Sequence, residues 1–400
     1  MARARTDVDE QIADLLRTAR TSLGLPVAFL SRLDGTTQTL EVVESAVPVL
    51  VREGATRPQA TSLCQAALDG RIPAVLPDLT REPVAMSLPA ARFPRFRSYI
   101  TVPVRLSDGR LYGTFCAAGL RSDPSLGSRE HSLVQVLARA AALVLEPVVR
   151  EREAEAEIRG RLDPLIAAGG PVVLLQPIVR LADGVRLGAE ALSRFPGEWG
   201  MPPDVCFAQA HRVGEGVRLE LQALERAARH LDAVQGYVSL NVSPSVVLDP
   251  ACAALLRLLP LDRVLLELSE HDPVEDYPAL SSALDPLRAA GLRLAIDDVG
   301  AGFSSLRHIV LTAPDVVKLD RSVVAGVAGD PVLRRLIGSM VGFAHGGDAR
   351  VVAEGVETQD DAAALLELGV DDGQGWLFGR PGPAEALGAA PAQDGASVPS

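Results

Sequence analysis

The chain has 400 residues, 48% of them hydrophobic and 22% charged, with a net charge of −12. That length exceeds one ordinary core and implies two domains, and that composition excludes a disordered chain. The acidic balance excludes nucleic-acid polymers as the main partner, although cations held in an acidic pocket can reverse the local sign for a small phosphate ligand.

No run of about 18 uninterrupted apolar residues occurs, so no membrane span is expected. The segment Met1–Glu10 is polar and lacks an apolar signal core. Cys64, Cys116, Cys206 and Cys252 form no CxxC pair and no metal spacing. They read as buried free thiols in a reducing cytoplasm.

Residues 1–126 read as mixed α/β. Ile12, Leu15, Leu16 and Leu23 are spaced for one buried helical face. Strand-like runs follow at Val27–Leu33 and Thr39–Ser45. Ile100–Leu106 and Leu111–Ala117 flank Ser107-Asp108-Gly109-Arg110, a hairpin signal, because glycine accepts the positive φ of a tight turn. This stretch resembles a GAF domain, a small-ligand sensor fold with an antiparallel sheet between helices. The resemblance rests on Ser62-Leu63-Cys64-Gln65, Asp69-Gly70-Arg71-Ile72-Pro73, Pro77-Asp78, and Tyr99-Ile100-Thr101-Val102-Pro103 leading to Leu111-Tyr112-Gly113-Thr114. It implies an unidentified small-molecule ligand. Cys64 reads as a packed core thiol; bilin attachment lacks the following histidine.

Residues 127–162 read as a linking helix. Ser128 supplies an N-cap and Glu130 a first-turn carboxylate. Leu133, Val136, Leu137, Ala140 and Val144 keep an apolar stripe, and Pro147 is expected to kink or end that segment. The mixed-charge run Arg150–Arg159 is either a solvated face or a signalling helix paired with a second copy; clean heptads are absent.

From 163 to 384 the pattern is that of a barrel. Val172–Leu181 and Val185–Leu192 are joined by a turn too short for a parallel crossover, so the first strand runs against the rest. Strand-like runs then alternate with helical ones: Tyr237–Val242, Arg263–Leu268, Leu292–Asp297, Val316–Leu319, Arg350–Glu354, and a short run near Gly375–Phe378. This predicts a modified (β/α)8 barrel. Residues 385–400 are Ala/Gly/Pro/Ser-rich and read as a disordered tail. The histidines are scattered, with no evident partners.

Polar residues close these runs at a barrel's rhythm of roughly 31 residues per unit: Glu190, Asn241, Glu267, Asp297 with Asp298, Lys318, Glu354 and Gln374. Converging carboxylates repel unless protonated or bridged by cations. An oxygen-only set favours Mg²⁺ or Mn²⁺ over Zn²⁺. Asp297-Asp298 could serve two ions, a device for in-line displacement at phosphorus. Lys318 adds a positive donor and Glu354 a carboxylate for proton transfer. Taken singly, Asp297-Asp298 could be a turn, Lys318 a surface lysine and Glu357 a first-turn helix carboxylate.

The ordered set resembles the EAL domain, the family of cyclic-di-GMP phosphodiesterases. It comprises Gln176-Pro177-Ile178, Glu190-Ala191-Leu192-Ser193-Arg194, Leu240-Asn241-Val242-Ser243, Glu267-Leu268-Ser269-Glu270, Asp297-Asp298-Val299-Gly300-Ala301-Gly302, Asp315-Val316-Val317-Lys318-Leu319-Asp320, Ala353-Glu354-Gly355-Val356 and Gln374-Gly375-Trp376. The resemblance implies that Glu190, Asn241, Glu267 and Asp297 bind one Mg²⁺ or Mn²⁺ ion, and that Asp297 and Asp298 help hold a second. It implies Lys318 at the attacking water, Glu354 as general base with Asp320 as a participant, and Gln176, Arg194 and Gln374 at the substrate. Glu270 would hold the loop after Asp298, whose Gly300 and Gly302 let it move. The implied activity is metal-dependent hydrolysis of cyclic-di-GMP to linear pGpG by a cytoplasmic homodimer under a GAF sensor. A catalytically silent cyclic-di-GMP receptor is the alternative. Receptors of that kind usually lack a metal ligand or the base, and none is missing here.

Overall fold

A computed structural model describes residues 6–47, 51–92, 95–269, 273–300 and 305–388. The chain divides into two compact units, Met1–Ala154 and Glu155–Ser400.

The first unit is built on an antiparallel sheet. Its strands are β1 (Val27–Leu33), β2 (Thr37–Ser45), β3 (Thr56–Pro58), β4 (Val75–Leu76), β5 (Ser98–Arg105) and β6 (Leu111–Gly119), in the order β3-β2-β1-β6-β5-β4. The predicted hairpin joins β5 and β6, with Gly109 at φ 86°. Helix Asp7–Leu23 starts at a capping box made by Thr6 and Asp9. It packs Ile12, Leu16 and Leu23 on one sheet face with Val134, Ala138 and Leu145 of the helix Ser128–Ala167. The other face is covered by helix Leu63–Leu68 and the segment around Leu79, Ala85 and Phe96.

Helix Ser128–Ala167 runs through Pro147 rather than ending there. Proline removes one backbone donor; here it is exposed, as is Leu143 one turn before it, so water can satisfy the carbonyl left over. By length and composition this helix could cross a membrane, with an 18-residue window of mean hydropathy 1.6. Nevertheless its inward side belongs to the first unit's core. In the second unit, Ile158, Leu162 and Ile166 of its last turns pack on Ala210, Val213 and Leu219.

The second unit is a closed barrel. Its strands are β7 (Val172–Arg180), β8 (Arg186–Arg194), β9 (Tyr237–Asn241), β10 (Val264–Ser269), β11 (Arg293–Val299), β12 (Val316–Leu319), β13 (Arg350–Ala353) and β14 (Asp372–Gln374). β7 is antiparallel to both β8 and β14, and the remaining neighbours are parallel, as the short first turn requires. The last strand precedes the predicted run. Gly375 explains the difference: a Cβ there would lie 2.1 Å from the Val356 carbonyl oxygen. The chain presses against the end of β13 and leaves the sheet, and Leu377 and Phe378 pack on the core from outside the strand. The start of the expected tail is ordered. Residues 384–388 form a 3-10 turn, and Arg186 donates to the Leu387 carbonyl.

Candidate active site

Strand side chains alternate between the two faces, so residues two apart share one. Inside the barrel an apolar layer is formed by Ile178, Tyr237, Leu265, Ala295, Val316 and Val352. Two residues along each chain lie Gln176, Ser239, Glu267, Asp297, Lys318 and Glu354. The polar set is therefore the next layer toward the barrel mouth, where a (β/α)8 barrel carries its chemistry. Register agrees: Gln176 pairs with Glu190, Glu267 with Asn241, and Ser269 with Asp297.

Lys318 is the centre of this layer and is 0% exposed. Its Nζ lies 2.6 Å from Glu354, 3.0 Å from Glu267, 3.2 Å from Asp297 and 3.4 Å from Glu190. The surface-lysine reading is excluded. Glu190 accepts from Asn241 at 2.8 Å and from Gln374 at 2.6 Å, and Gln374 also donates to Gln176 at 3.1 Å. Ser239 donates to Glu267.

Three buried carboxylates and the half-buried Glu354 thus face one ammonium. Burial pushes Glu267 and Glu354 well above the usual carboxylate range despite Lys318. The same cause, opposed by Lys318, pushes Asp297 up to about 6. Burial also raises Glu190, but Lys318, Gln374 and Asn241 outweigh it and hold that carboxyl below its ordinary value. Burial opposes the charge on Lys318, and the surrounding carboxylates outweigh burial and hold it protonated.

The donor set fits divalent cations. Ligand atoms of Glu190, Glu267 and Asp297 lie within 4.8 Å of one another, as do those of Asp297, Asp298 and Glu354. Asp297 Oδ1 and Gln374 Oε1 are buried without a hydrogen-bond partner; the former is near Lys318 but out of alignment. The surplus of negative charge, the hard oxygen donors and the orphaned oxygens are what Mg²⁺ or Mn²⁺ would satisfy. Asp298 holds a left-handed backbone, φ 59°, and accepts from Ser269 at 3.4 Å. Such strain collects at ligand sites.

A cavity of about 760 Å³ opens on this layer. Its walls include Arg194, Phe207, Asn241, Glu267, Asp297, Asp298 and Asp320. Asp320 also caps the short helix Arg321–Val324 through Ser322. Arg194 donates to the Ser193 carbonyl. Gly300 is described, with φ 112°; Glu270 and Gly302 lie outside the described residues. Glu357 forms an ion pair with Arg321 at 3.0 Å, which gives it a structural task. Trp199 stacks on Phe195 within the side cluster of Ile158 and Leu162, while Pro203, four residues on, lies on the cavity wall.

Sequence reading missed Ser239, legible only as a position two before Asn241 on the same strand. It also missed a histidine with a partner. His211 lies 2.5 Å from the buried Glu220, which accepts from the amide and hydroxyl of Ser243, just beyond β9. His345 likewise pairs with Asp371. Both partners sit on other elements, beyond the reach of local spacing.

The EAL domain family matches residues 159–381 and the GAF domain family residues 5–146. A protein of Azorhizobium caulinodans is 32% identical over 234 residues, 54% of this chain and 32% of that one. The cyclic di-GMP phosphodiesterase PdeL of Escherichia coli K12 is 29% identical over 223 residues, 52% of this chain and 62% of that one. The chain thus spans less than two thirds of either relative. The solved structure of the PaMucR phosphodiesterase in complex with c-di-GMP is 28% identical, with a TM-score of 0.52, covering 58% of this chain and 99% of that one.

Proposed function

The chain belongs to the EAL domain family, and from that premise we propose that its barrel hydrolyses cyclic-di-GMP to linear pGpG with Mg²⁺ or Mn²⁺. The observation that carries this is the Lys318 ammonium within 3.4 Å of four carboxylates, three of them buried, drawn from different barrel segments. A receptor needs no such concentration of charge in its floor, because desolvating it opposes folding.

Glu190, Asn241, Glu267 and Asp297 would hold one cation, and Asp297 with Asp298 a second. Bound cations supply Lewis acidity toward the phosphoryl oxygens and the attacking water. Arg194 meets a phosphate oxygen of the substrate at the cavity wall. Lys318 donates a hydrogen bond to the attacking water and holds Glu354 in place. Glu354 takes the proton as water attacks phosphorus in line and the 3′ oxygen leaves. Asn241 and Gln374 fix the orientation of Glu190, and Gln176 fixes Gln374. Asp320 assists at the cavity edge. Gly300, at φ 112°, lets the chain after Asp298 adjust.

The first unit acts as a GAF sensor for a small molecule, and the working form is a cytoplasmic homodimer. The dimer is supported by exposed Val136 and Leu143, 63% and 73% accessible, about two turns apart on one helix side. A monomeric mass in sedimentation with full activity would exclude it.

The deciding experiment incubates the full chain with cyclic-di-GMP and Mg²⁺ or Mn²⁺ and separates the products. Appearance of pGpG that chelation abolishes is expected. Tight nucleotide binding with no product would overturn the enzyme reading in favour of the receptor.

A further inference from the structure

The first unit buries two cysteines side by side. Cys64, near the start of helix Leu63–Leu68, and Cys116, on β6, place their Sγ atoms 3.5 Å apart, at 2% and 0% exposure. Cysteine packed as a small apolar residue is surrounded by carbon. These two sit in an apolar cluster, yet each sulfur also faces several hydrogen-bonding groups. The Tyr99 hydroxyl is 3.0 Å from Cys64 Sγ and 3.2 Å from Cys116 Sγ. The Gln38 amide donates to Cys64 Sγ at 2.8 Å. The Thr101 and Thr114 hydroxyls lie 3.1 and 3.3 Å from Cys116 Sγ.

The sheet register brings them together. Thr101 pairs with Cys116 across β5 and β6, Ser31 pairs with Thr114 across β1 and β6, and Thr114 and Cys116 share a face by alternation. Beside Cys64 a cavity of about 20 Å³, bordered also by Gln38, Arg57 and Tyr99, has room for one water-sized molecule.

We propose that Cys64 and Cys116 form a reversible dithiol–disulfide site whose oxidant is a peroxide. Cys64, its proton released to solvent, attacks peroxide as the thiolate; an S–O bond forms, the O–O bond breaks, and the departing hydroxide takes up a solvent proton to become water. Cys116, giving up its proton, attacks the sulfenic sulfur of Cys64. The S–S bond forms, the S–O bond breaks, and the second hydroxide takes the Cys116 proton. Two thiols lose two electrons and two protons, and one peroxide becomes two waters. The donors around the pair set the direction of attack. Burial raises the Cys64 thiol, but hydrogen bonds from Cys116, Thr114, Tyr99 and Gln38 outweigh it and bring it down to about 6. Burial and the neighbouring Cys64 push Cys116 well above its ordinary value. Thiolate character makes the former the attacking sulfur. Closing the bond takes the sulfurs from 3.5 Å to about 2.05 Å and draws helix Leu63–Leu68 toward β6.

The test uses the full chain, reduced, then exposed to a small excess of hydrogen peroxide and digested without reductant. The expected result is loss of two of the four thiols, a peptide pair linked through Cys64 and Cys116, and full reversal by dithiothreitol. Cys206 and Cys252, buried in the second unit, remain reduced as internal controls. C116S should stop at a sulfenic acid on Cys64, trapped by a dione reagent. Four intact thiols, oxidation of Cys206 or Cys252 instead, or a link between two chains would overturn the proposal. The wild-type digest decides alone if C116S does not fold. None of these readouts depends on phosphodiesterase activity.

Discussion

The barrel mouth and the thiol pocket of the first unit are two solutions to burying polar groups in a sheet. The barrel gathers formal charge: four carboxylates around Lys318, with more negative charge than the lysine balances. The thiol pocket gathers neutral donors around Cys64 and Cys116. The first arrangement is one that a divalent cation would complete, whereas the second is complete until a sulfur changes oxidation state. Removing a central group should therefore cost far more in the barrel.

Lys318→Met is the largest test of that contrast. Removing one partner of a buried ion cluster costs about 3–5 kcal/mol, and hydrolysis should vanish. Mn²⁺ should restore more melting temperature to this variant than to the parent, because the cation then carries the whole compensation. Melting curves with and without chelator check this; equal Mn²⁺ shifts in both proteins would contradict it. Glu354→Ala comes next. Loss of a general base costs about 10²–10⁴ in rate, and binding of cyclic-di-GMP in the presence of metal should survive. Because Glu354 also stands within ligand distance of Asp297 and Asp298, Mn²⁺ titration of the same variant separates the base from a ligand. Unchanged Mn²⁺ affinity with lost turnover assigns the base.

Protons sharpen the comparison, because the two regions should respond with opposite slopes. Asp297 is raised from 3.8 to about 6 in the folded chain. Between those values the folded state holds more protons than the unfolded one, so this group's contribution to stability falls as pH rises. Cys64 is lowered from 9.0 to about 6. Between those values the unfolded state holds more protons, so its contribution grows with pH and is lost on acidification through 6. In metal-free protein, Asp297→Asn should flatten the acid slope and Cys64→Ser the neutral-to-alkaline one, read from urea midpoints at each pH. Mn²⁺ affinity should also weaken below about pH 6, where protons compete for Asp297.

Legibility in the sequence follows the same division. Charged and amide residues at strand ends announce themselves by type and rhythm, so Glu190, Asn241, Glu267, Asp297, Lys318 and Glu354 are legible in the sequence. Alternation in short runs and the Asp108-Gly109 turn carried the strands. The thiol pocket left no such mark: Gln38, Tyr99, Thr101 and Thr114 are ordinary strand residues, and only register across β1, β2, β5 and β6 brings them to one point. The last strand was misplaced because Leu377 and Phe378 are as apolar as a strand. The backbone contact that turns the chain away at Gly375 is a tertiary fact. His211 and Glu220 were unreadable for a similar reason: they lie on separate helices and meet only through the fold.

The smallest expected effect asks whether neutral donors matter at the barrel as they do around Cys64. Ser239 is 0% exposed, and its hydroxyl donates to Glu267. That bond pulls the Glu267 carboxyl down against burial. Ser239→Ala should cost about 1 kcal/mol in stability. It should also make Glu267 harder to deprotonate and so a weaker ligand; loss of a partner behind a metal ligand typically costs roughly tenfold or more in metal affinity. A Mn²⁺ titration near pH 6 should show the loss, and raising the pH should recover it, because base deprotonates Glu267 without help. A loss of the same size at every pH would mean that Ser239 acts by shape alone. The barrel would then depend on its formal charges, and neutral donors would govern only the thiol pocket.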